Sequence, residues 1–318
     1  MKKIIMAMVQ MKNYYDNHKK GKEKMEEYIE KAANEGADII AFPELSICGY
    51  IPNKTIWNHA QSLYDEDVKW IRMLAKKYHI YIGAGFIEIK NNDFYNTYFI
   101  MNPKGELDGV IRKENGEADT FKHKEGALYI DTSFGRIGLG ICADNHFVNR
   151  LERMKKVNVD IMLMPHAMPI PFQKSRSISD NDLVRFKRQP YAVASTYAQY
   201  LNVTTVFINA VGDYPKFHGK IGTKSFNNDF ALLGGSLVVD EKGKVLLEMN
   251  DQEDFQLIKI CIEKKKPNNY KPKAYNGQWL HPGNALFRRI IFPIAVKQGI
   301  HTYEKTHMDG VNKLNEKR

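Results

Sequence analysis

Strand-length apolar runs alternate with amphipathic helical stretches along most of this chain, and that alternation constrains the fold more than any other feature. Residues 4–10 form an apolar run of strand length. Residues 19–34 then place Met25, Tyr28, Ile29 and Ala32 at helical spacing, closed by Glu35-Gly36. A short strand at 38–42 follows, then a second amphipathic helix at 68–78 with Trp70, Ile71, Leu74 and Ala75 as its apolar side. Strands at 80–89 and 95–101 come next, and Asn102-Pro103-Lys104-Gly105 is a strong turn, which predicts a hairpin. The pattern continues with strands at 128–131 and 135–141, a helix at 148–156 and a strand at 160–164. A helical region at 180–202, interrupted at Pro190, leads to a strand at 205–209, a hairpin across Asp240-Glu241-Lys242-Gly243 and a last strand at 255–262. Helices between buried strands, with hairpins interspersed, predict a mixed-sheet α/β domain over residues 1–263 with helices on the outside. No internal repeat is legible. From Lys264 the texture changes to Pro267, Pro272, Pro282 and Pro293 with little regular pattern. Residues 264–318 therefore read as an extension packing on the core or on a partner subunit, with Leu286, Ile290, Ile291 and Ile294 as a candidate subunit contact.

Charge and cysteine usage narrow the partners. The net charge of +10 comes from lysines scattered through helical stretches with acidic residues interleaved. No recognition motif with interleaved aromatics accompanies the run Lys264-Lys265-Lys266, so a nucleic-acid partner is not expected. The basic field suits an anionic small-molecule substrate. Cys48, Cys142 and Cys261 are too few and too irregularly spaced for a disulfide framework or a metal site, which points to a reducing compartment. The apolar run at residues 4–9 is too short for a signal peptide, and no stretch approaches the ~20 residues of a membrane span. The expectation is a cytoplasmic protein without membrane contact.

Chemistry concentrates at three strand mouths. Cys142 ends the apolar run 136–141 and opens the polar turn Ala143-Asp144-Asn145-His146. Pro43 stops the strand before it and delivers the Glu44 carboxylate, and Lys113 ends the run Gly109-Val110-Ile111-Arg112. Each has a plain structural alternative: a buried small thiol, a loop glutamate, a solvated lysine. Together they fit nucleophilic acyl transfer. An ammonium lowers a thiol's pKa, a carboxylate takes its proton and later passes it to a leaving amine, and cation and backbone N–H hold the oxyanion. The N–H after the nucleophile belongs to Ala143. Cys48 reads as a residue behind the Glu44 turn, and Cys261 as core. His146 stands too close to Cys142 in sequence to face it, so it reads as a packing or hydrogen-bonding residue.

Phe42-Pro43-Glu44, Arg112-Lys113, and Gly135-Arg136-Ile137-Gly138 through Ile141-Cys142-Ala143-Asp144 resemble, in order and spacing, the nitrilase or carbon–nitrogen hydrolase superfamily. Gly235-Ser236 and the 239–245 hairpin extend the likeness to about residue 262. The resemblance implies an αββα sandwich that usually forms a homodimer or higher homo-oligomer, and a triad of Glu44 as base, Lys113 as oxyanion cation and Cys142 as nucleophile. It also implies a further glutamate near the substrate. Glu117 matches best, since it precedes Phe121 and Gly126 as the family's residue precedes its aromatic and glycine; Glu114 and Glu125 compete. The chain departs from the pattern at Glu114-Asn115 after the lysine, at Val148-Asn149, and around residues 197–200.

The reading that follows is hydrolysis of a non-peptide C–N bond, with a small amide favoured, through a cysteine thioester and without metal or organic cofactor. Tyr50, Ala143, His166 and Met168 are candidate substrate contacts. Nitrile and N-carbamoyl hydrolysis use the same thiol, acyl transfer shares the intermediate, and a non-catalytic ligand-binding or assembly module is the alternative of another kind.

Overall fold

The computed structural model describes residues 2–174, 178–215, 230–263, 266–268, 290 and 292–317. The first half runs β1 (Lys2–Gln10), α1 (His18–Asn34), β2 (Ile39–Ala41), α2 (Glu66–Tyr78), β3 (Tyr81–Lys90), β4 (Asp93–Met101) and β5 (Leu107–Arg112). The second runs β6 (Tyr129–Thr132), β7 (Gly135–Leu139), α3 (Val148–Lys156), β8 (Ile161–His166), β9 (Pro169–Pro171), α4 (Asp180–Lys187), α5 (Gln189–Leu201) and β10 (Thr205–Asn209). It closes with β11 (Val211–Gly212), β12 (Phe230–Leu233), β13 (Leu237–Val239), β14 (Val245–Glu248) and β15 (Asp254–Ile262), and the last element is α6 (Phe292–Asn315). Up to residue 262 the expected elements form within a few residues of their predicted ends. The long helical region breaks into α4 and α5 just before Pro190, which occupies the first turn of α5 where its missing N–H costs nothing.

Two six-stranded mixed sheets face each other, in the orders β15-β1-β2-β3-β4-β5 and β14-β13-β10-β8-β7-β6. A small sheet, β11-β12-β9, stands beside them. Among the named strands described, the parallel pairs are β1-β2-β3 and β7-β8-β10, the strands joined by helical crossovers. Strand alternation assigns the faces. Ile4, Met6 and Met8 of β1 join Ile137, Leu139 and Ile161 between the sheets, while Ala7 and Val9 pack under Met25 and Ile29 of α1 and Ile71 of α2. Burying each of those larger side chains contributes about 1.5–3 kcal/mol. On the other side α3 and α5 bury Leu151, Met154, Val193 and Tyr197. The architecture is an αββα sandwich.

Two expectations are corrected. The extension is not without regular structure: α6 is a 24-residue helix whose Tyr303, Val311 and Leu314 are buried against the domain. Its Pro293 sits in the first turn, where proline starts a helix rather than breaking one. Cys261 is exposed, because strand alternation sends Ile260 and Ile262 inward and the thiol out. Of the candidate subunit contact, Ile290 and Ile294 are exposed, whereas Leu286 and Ile291 lie outside the described residues.

Candidate active site

The site assembles at the carboxyl ends of strands from both sheets, the end where open α/β sheets place ligands. Past β2 the chain reaches Glu44, and Leu45 takes a left-handed backbone (φ 51°) that turns it away. Lys113 follows β5 directly, held by its N–H to the Asn96 carbonyl at 2.8 Å. From the other sheet, β7 leads through Gly140-Ile141 to Cys142, which opens a 3-10 turn over Cys142–His146. Cys142 itself is left-handed (φ 46°), a conformation that costs an L-residue roughly 1–2 kcal/mol. Such strain persists only where the surroundings impose it.

Glu44 is 2% exposed and fully ligated. Its Oε1 accepts from Lys113 Nζ at 2.6 Å and from Asn96 Nδ2 at 2.7 Å, and its Oε2 accepts from the Ala167 N–H at 2.9 Å. The same Ala167 N–H is directed at the Cys142 sulfur. Lys113 Nζ also reaches both oxygens of Glu117, at 3.2 and 3.4 Å, and the Tyr50 hydroxyl donates to Glu117 Oε1. One buried ammonium thus serves two carboxylates.

The electrostatics separate those carboxylates. Burial pushes Glu44 above the usual carboxylate range, and Glu117's charge adds to this against the pull of Lys113. Burial works on Glu117 too, but Lys113 and the Tyr50 hydroxyl outweigh it and hold Glu117 below that range. Burial opposes the Lys113 charge, yet Glu117 and Glu44 win and keep its pKa well above the ordinary value. The Cys142 thiol is raised well above its usual value, first by burial and then by Glu44, with Lys113 opposing. The resting arrangement is a protonated thiol, a fixed ammonium–Glu117 pair, and in Glu44 the more basic carboxylate. Environments that push two carboxylates apart are those that divide acid–base roles.

Straps behind these groups were not all foreseen. The Asp144 carboxylate accepts from the N–H of Glu114 at 3.2 Å and of Asn115 at 2.8 Å, and from Asn115 Nδ2 at 3.1 Å. It ties the turn that carries Cys142 to the loop that carries Lys113. Asn96 was missed, although a polar pair, Asn96-Thr97, in the middle of β4 with aromatic and aliphatic residues on both sides is the signal for it. The Ala167 N–H was also missed, since a backbone donor leaves no mark in side-chain identity.

The remaining predicted residues are distributed unevenly. Tyr50 lies against Glu117, as above. Ala143 stands at the start of the 3-10 turn, whose Asp144 N–H bonds the Ile141 carbonyl. Met168 is buried in the apolar cluster that includes Cys142, its N–H on Asn209 Oδ1 at 2.8 Å. His166 is completely buried, its ring stacked 3.9 Å from Phe207 and its Nδ1 on the Met164 carbonyl. Burial lowers His166 to about 3, which keeps it neutral. Glu114 is occupied by Arg150 and Arg153, and the exposed Glu125 pairs with Arg153, so neither is among the groups on Lys113. His146 Nδ1 lies 3.1 Å from Gln189 Nε2, within hydrogen-bond distance. Cys48 lies behind the Glu44 turn, its thiol pushed up to about 12 by burial. Among the described residues no His/Cys/Asp/Glu group has a metal-holding arrangement, and no helix is long and apolar enough to cross a membrane. A cleft of about 520 Å³ lies away from this chemistry, between α1, the Lys54–His59 3-10 turn and the end of α6.

Residues 5–262 match the carbon–nitrogen hydrolase family, and the chain belongs to that family. It is 31% identical over 180 residues to a citrullinase of Francisella tularensis, a match covering 53% of this chain and 63% of that protein. It is 27% identical over 258 residues to the 2-oxoglutaramate amidase of Bacillus subtilis, covering 76% and 84%. A glutamine-dependent NAD(+) synthetase of Acinetobacter baylyi is 23% identical over 281 residues, covering 86% of this chain and 47% of the synthetase. The chain thus spans less than two thirds of the citrullinase and of the synthetase. Among solved structures, a carbon–nitrogen hydrolase of Helicobacter pylori superposes with a TM-score of 0.71 at 19% identity, over 82% of this chain and 90% of that one. A variant amidase of Nesterenkonia sp. AN1, with the acetamide moiety of fluoroacetamide added covalently at its active-site cysteine, superposes at 0.66 and 17% identity, over 81% and 90%. At such identities these likenesses concern the fold.

Proposed function

We propose that this protein is an amidase-type carbon–nitrogen hydrolase with Cys142 as nucleophile, Glu44 as general base and acid, and Lys113 as oxyanion cation. The observation that carries the reading is the Glu44 carboxylate held at once by Lys113, Asn96 and the Ala167 N–H, with the Cys142 thiol in the same field. Glu44 takes the thiol proton as the sulfur attacks the carbonyl carbon. Lys113, with the Ala143 N–H, balances the oxyanion. The C–N bond breaks, Glu44 returns the proton to the leaving nitrogen, and a thioester remains. Water, deprotonated by Glu44, attacks that thioester and releases the acid and the thiol. Glu117, held ionised by Lys113 and Tyr50, fixes the ammonium and borders the substrate. Tyr50 and Met168 stand with Ala143 as substrate contacts in this reading.

The names of the citrullinase, the 2-oxoglutaramate amidase and the glutamine-dependent synthetase point to one substrate class. It is a terminal carboxamide or ureido group on an amino-acid-sized molecule that carries a carboxylate. The citrullinase likeness favours a second reading, ureido rather than carboxamide cleavage. Ammonia release is measured on glutamine, 2-oxoglutaramate and citrulline, with intact-mass detection of an acyl adduct on Cys142. Turnover with an adduct absent from Cys142→Ala is expected. Substrate turnover that survives Cys142→Ala would overturn the assignment.

A further inference from the structure

The family match ends at residue 262, yet α6 reaches the segment that carries Glu117. Gly299 of α6 lies so close that a Cβ there would stand 2.7 Å from Ala118 Cβ and 3.0 Å from the Asp119 nitrogen. Gly310 lies closer still to Trp57, where a Cβ would meet the indole at 2.3 Å. Glycine inside a helix costs about 1 kcal/mol relative to alanine, and here it permits contact with the chain next to Glu117. Trp57 stacks on Phe94 at 4.8 Å between ring centres and meets Tyr303 edge-on, while the Tyr303 hydroxyl accepts the Phe94 N–H at 2.9 Å. Pinned in this way, Trp57 donates its indole N–H to the Thr120 carbonyl at 2.7 Å. Thr120 and Phe121 in turn donate their N–H groups to the Glu117 carbonyl, at 2.8 and 2.9 Å. A single buried cluster holds Trp57, Tyr303, Val311 and Leu314 together with Tyr50 and Phe121 beside the site.

We propose that Trp57, clamped by α6, is a positioning residue for Glu117, so that a segment outside the family domain sets where the second carboxylate meets Lys113. The proposal rests on the assignment of Glu117 to the site of the hydrolase reading. It acts through the backbone: the indole fixes Thr120 and Gly299 packs on Ala118-Asp119, all in the turn that leaves Glu117 on its C-terminal side.

The test uses the full chain and the pH dependence of Cys142 alkylation by iodoacetamide, resolved by peptide mass, with the exposed Cys261 as internal reference. Trp57→Phe keeps the ring on Phe94 and removes the N–H donor. Because Glu117's charge holds the thiol proton on, loosening Glu117 moves the profile toward lower pH, the direction also expected of Glu117→Gln. The expected size is about threefold in rate at fixed pH, half a pKa unit. In a Glu117→Gln background Trp57→Phe adds nothing. An equal shift in both backgrounds, or none in the parent chain, overturns the proposal. Gly299→Ala is measured in parallel and carries the same comparison if Trp57→Phe does not melt cooperatively. Alkylation requires no substrate turnover, so an absence of amide hydrolysis alongside an intact coupling would sink the hydrolase reading and leave the clamp standing.

Discussion

The two sheets of the sandwich are built alike and used differently. Read from β15, pairing in the first sheet runs antiparallel, parallel, parallel, antiparallel, antiparallel. Read from β6, the second sheet runs through the same sequence. In this correspondence β2 matches β8 and β1 matches β7. The end of β2 supplies the Glu44 carboxylate, and the end of β8 supplies the Ala167 N–H that it accepts. Cys142 follows β7, whereas β1 ends in Gln10, whose amide bonds the Asn250 and Gln252 carbonyls. One supersecondary plan thus delivers the Cys142 thiol on one side and the Gln10 amide on the other. The plan fixes where side chains converge, and their identity alone decides what the convergence does.

If the sheets contribute halves of one catalytic unit, the largest effects are non-additive. Cys142→Ala removes the second sheet's part and Glu44→Gln the first sheet's. Each is expected to lower kcat by at least about a thousandfold, and the double variant to fall no further than the worse single one. Additive losses in amide turnover would mean that the two groups act in separate steps.

The sequence reveals one side of this correspondence better than the other. Runs such as 4–10 and 135–139 carry enough apolar density to announce buried strands, and the turn at Asn102-Pro103-Lys104-Gly105 announces its hairpin. The pairing pattern that makes the sheets equivalent is hidden, because it resides in backbone order while the sequences have diverged. Glu44, Lys113 and Cys142 were visible since each ends an apolar run. Asp144 was visible only as part of a motif, and its tie to Asn115 is set by a loop with no periodicity. α6 was invisible because it buries only Tyr303, Val311 and Leu314 and makes its other close contacts through the half-buried Gly299 and Gly310, so a hydrophobic pattern barely exists.

A smaller effect concerns Lys113, the cation that the first sheet places between the carboxylates. Lys113→Met leaves Glu44 and Glu117 buried and facing each other, and removing one member of such a cluster costs about 3–5 kcal/mol at neutral pH. Without the ammonium both carboxyl pKa values rise above those of the unfolded chain. The folded state then binds protons more tightly, so stability is present below the unfolded pKa and is lost as pH rises through the folded one. Thermal melts should show the deficit of Lys113→Met shrinking from neutral toward mildly acidic pH. A deficit independent of pH would mean that the carboxylates find other partners.

The smallest effect tests the strap between the sheets. Asp144, on the second sheet's turn, accepts N–H groups of Glu114 and Asn115 just past the first sheet's Lys113, and lies 3.7 Å from Arg150. Asp144→Ala leaves those donors buried and unpaired at about 1–3 kcal/mol, and frees Lys113 to drift from Cys142. Asp144→Asn keeps one acceptor oxygen and loses the charge, so its melting temperature should fall between those of the parent and the alanine variant. The strap predicts that turnover falls in the same order, because a tether lost on one sheet misplaces a group on the other. If Asp144→Ala loses stability but keeps full kcat, the sheets hold their catalytic groups independently, and the equivalence of their strand ends is architectural alone.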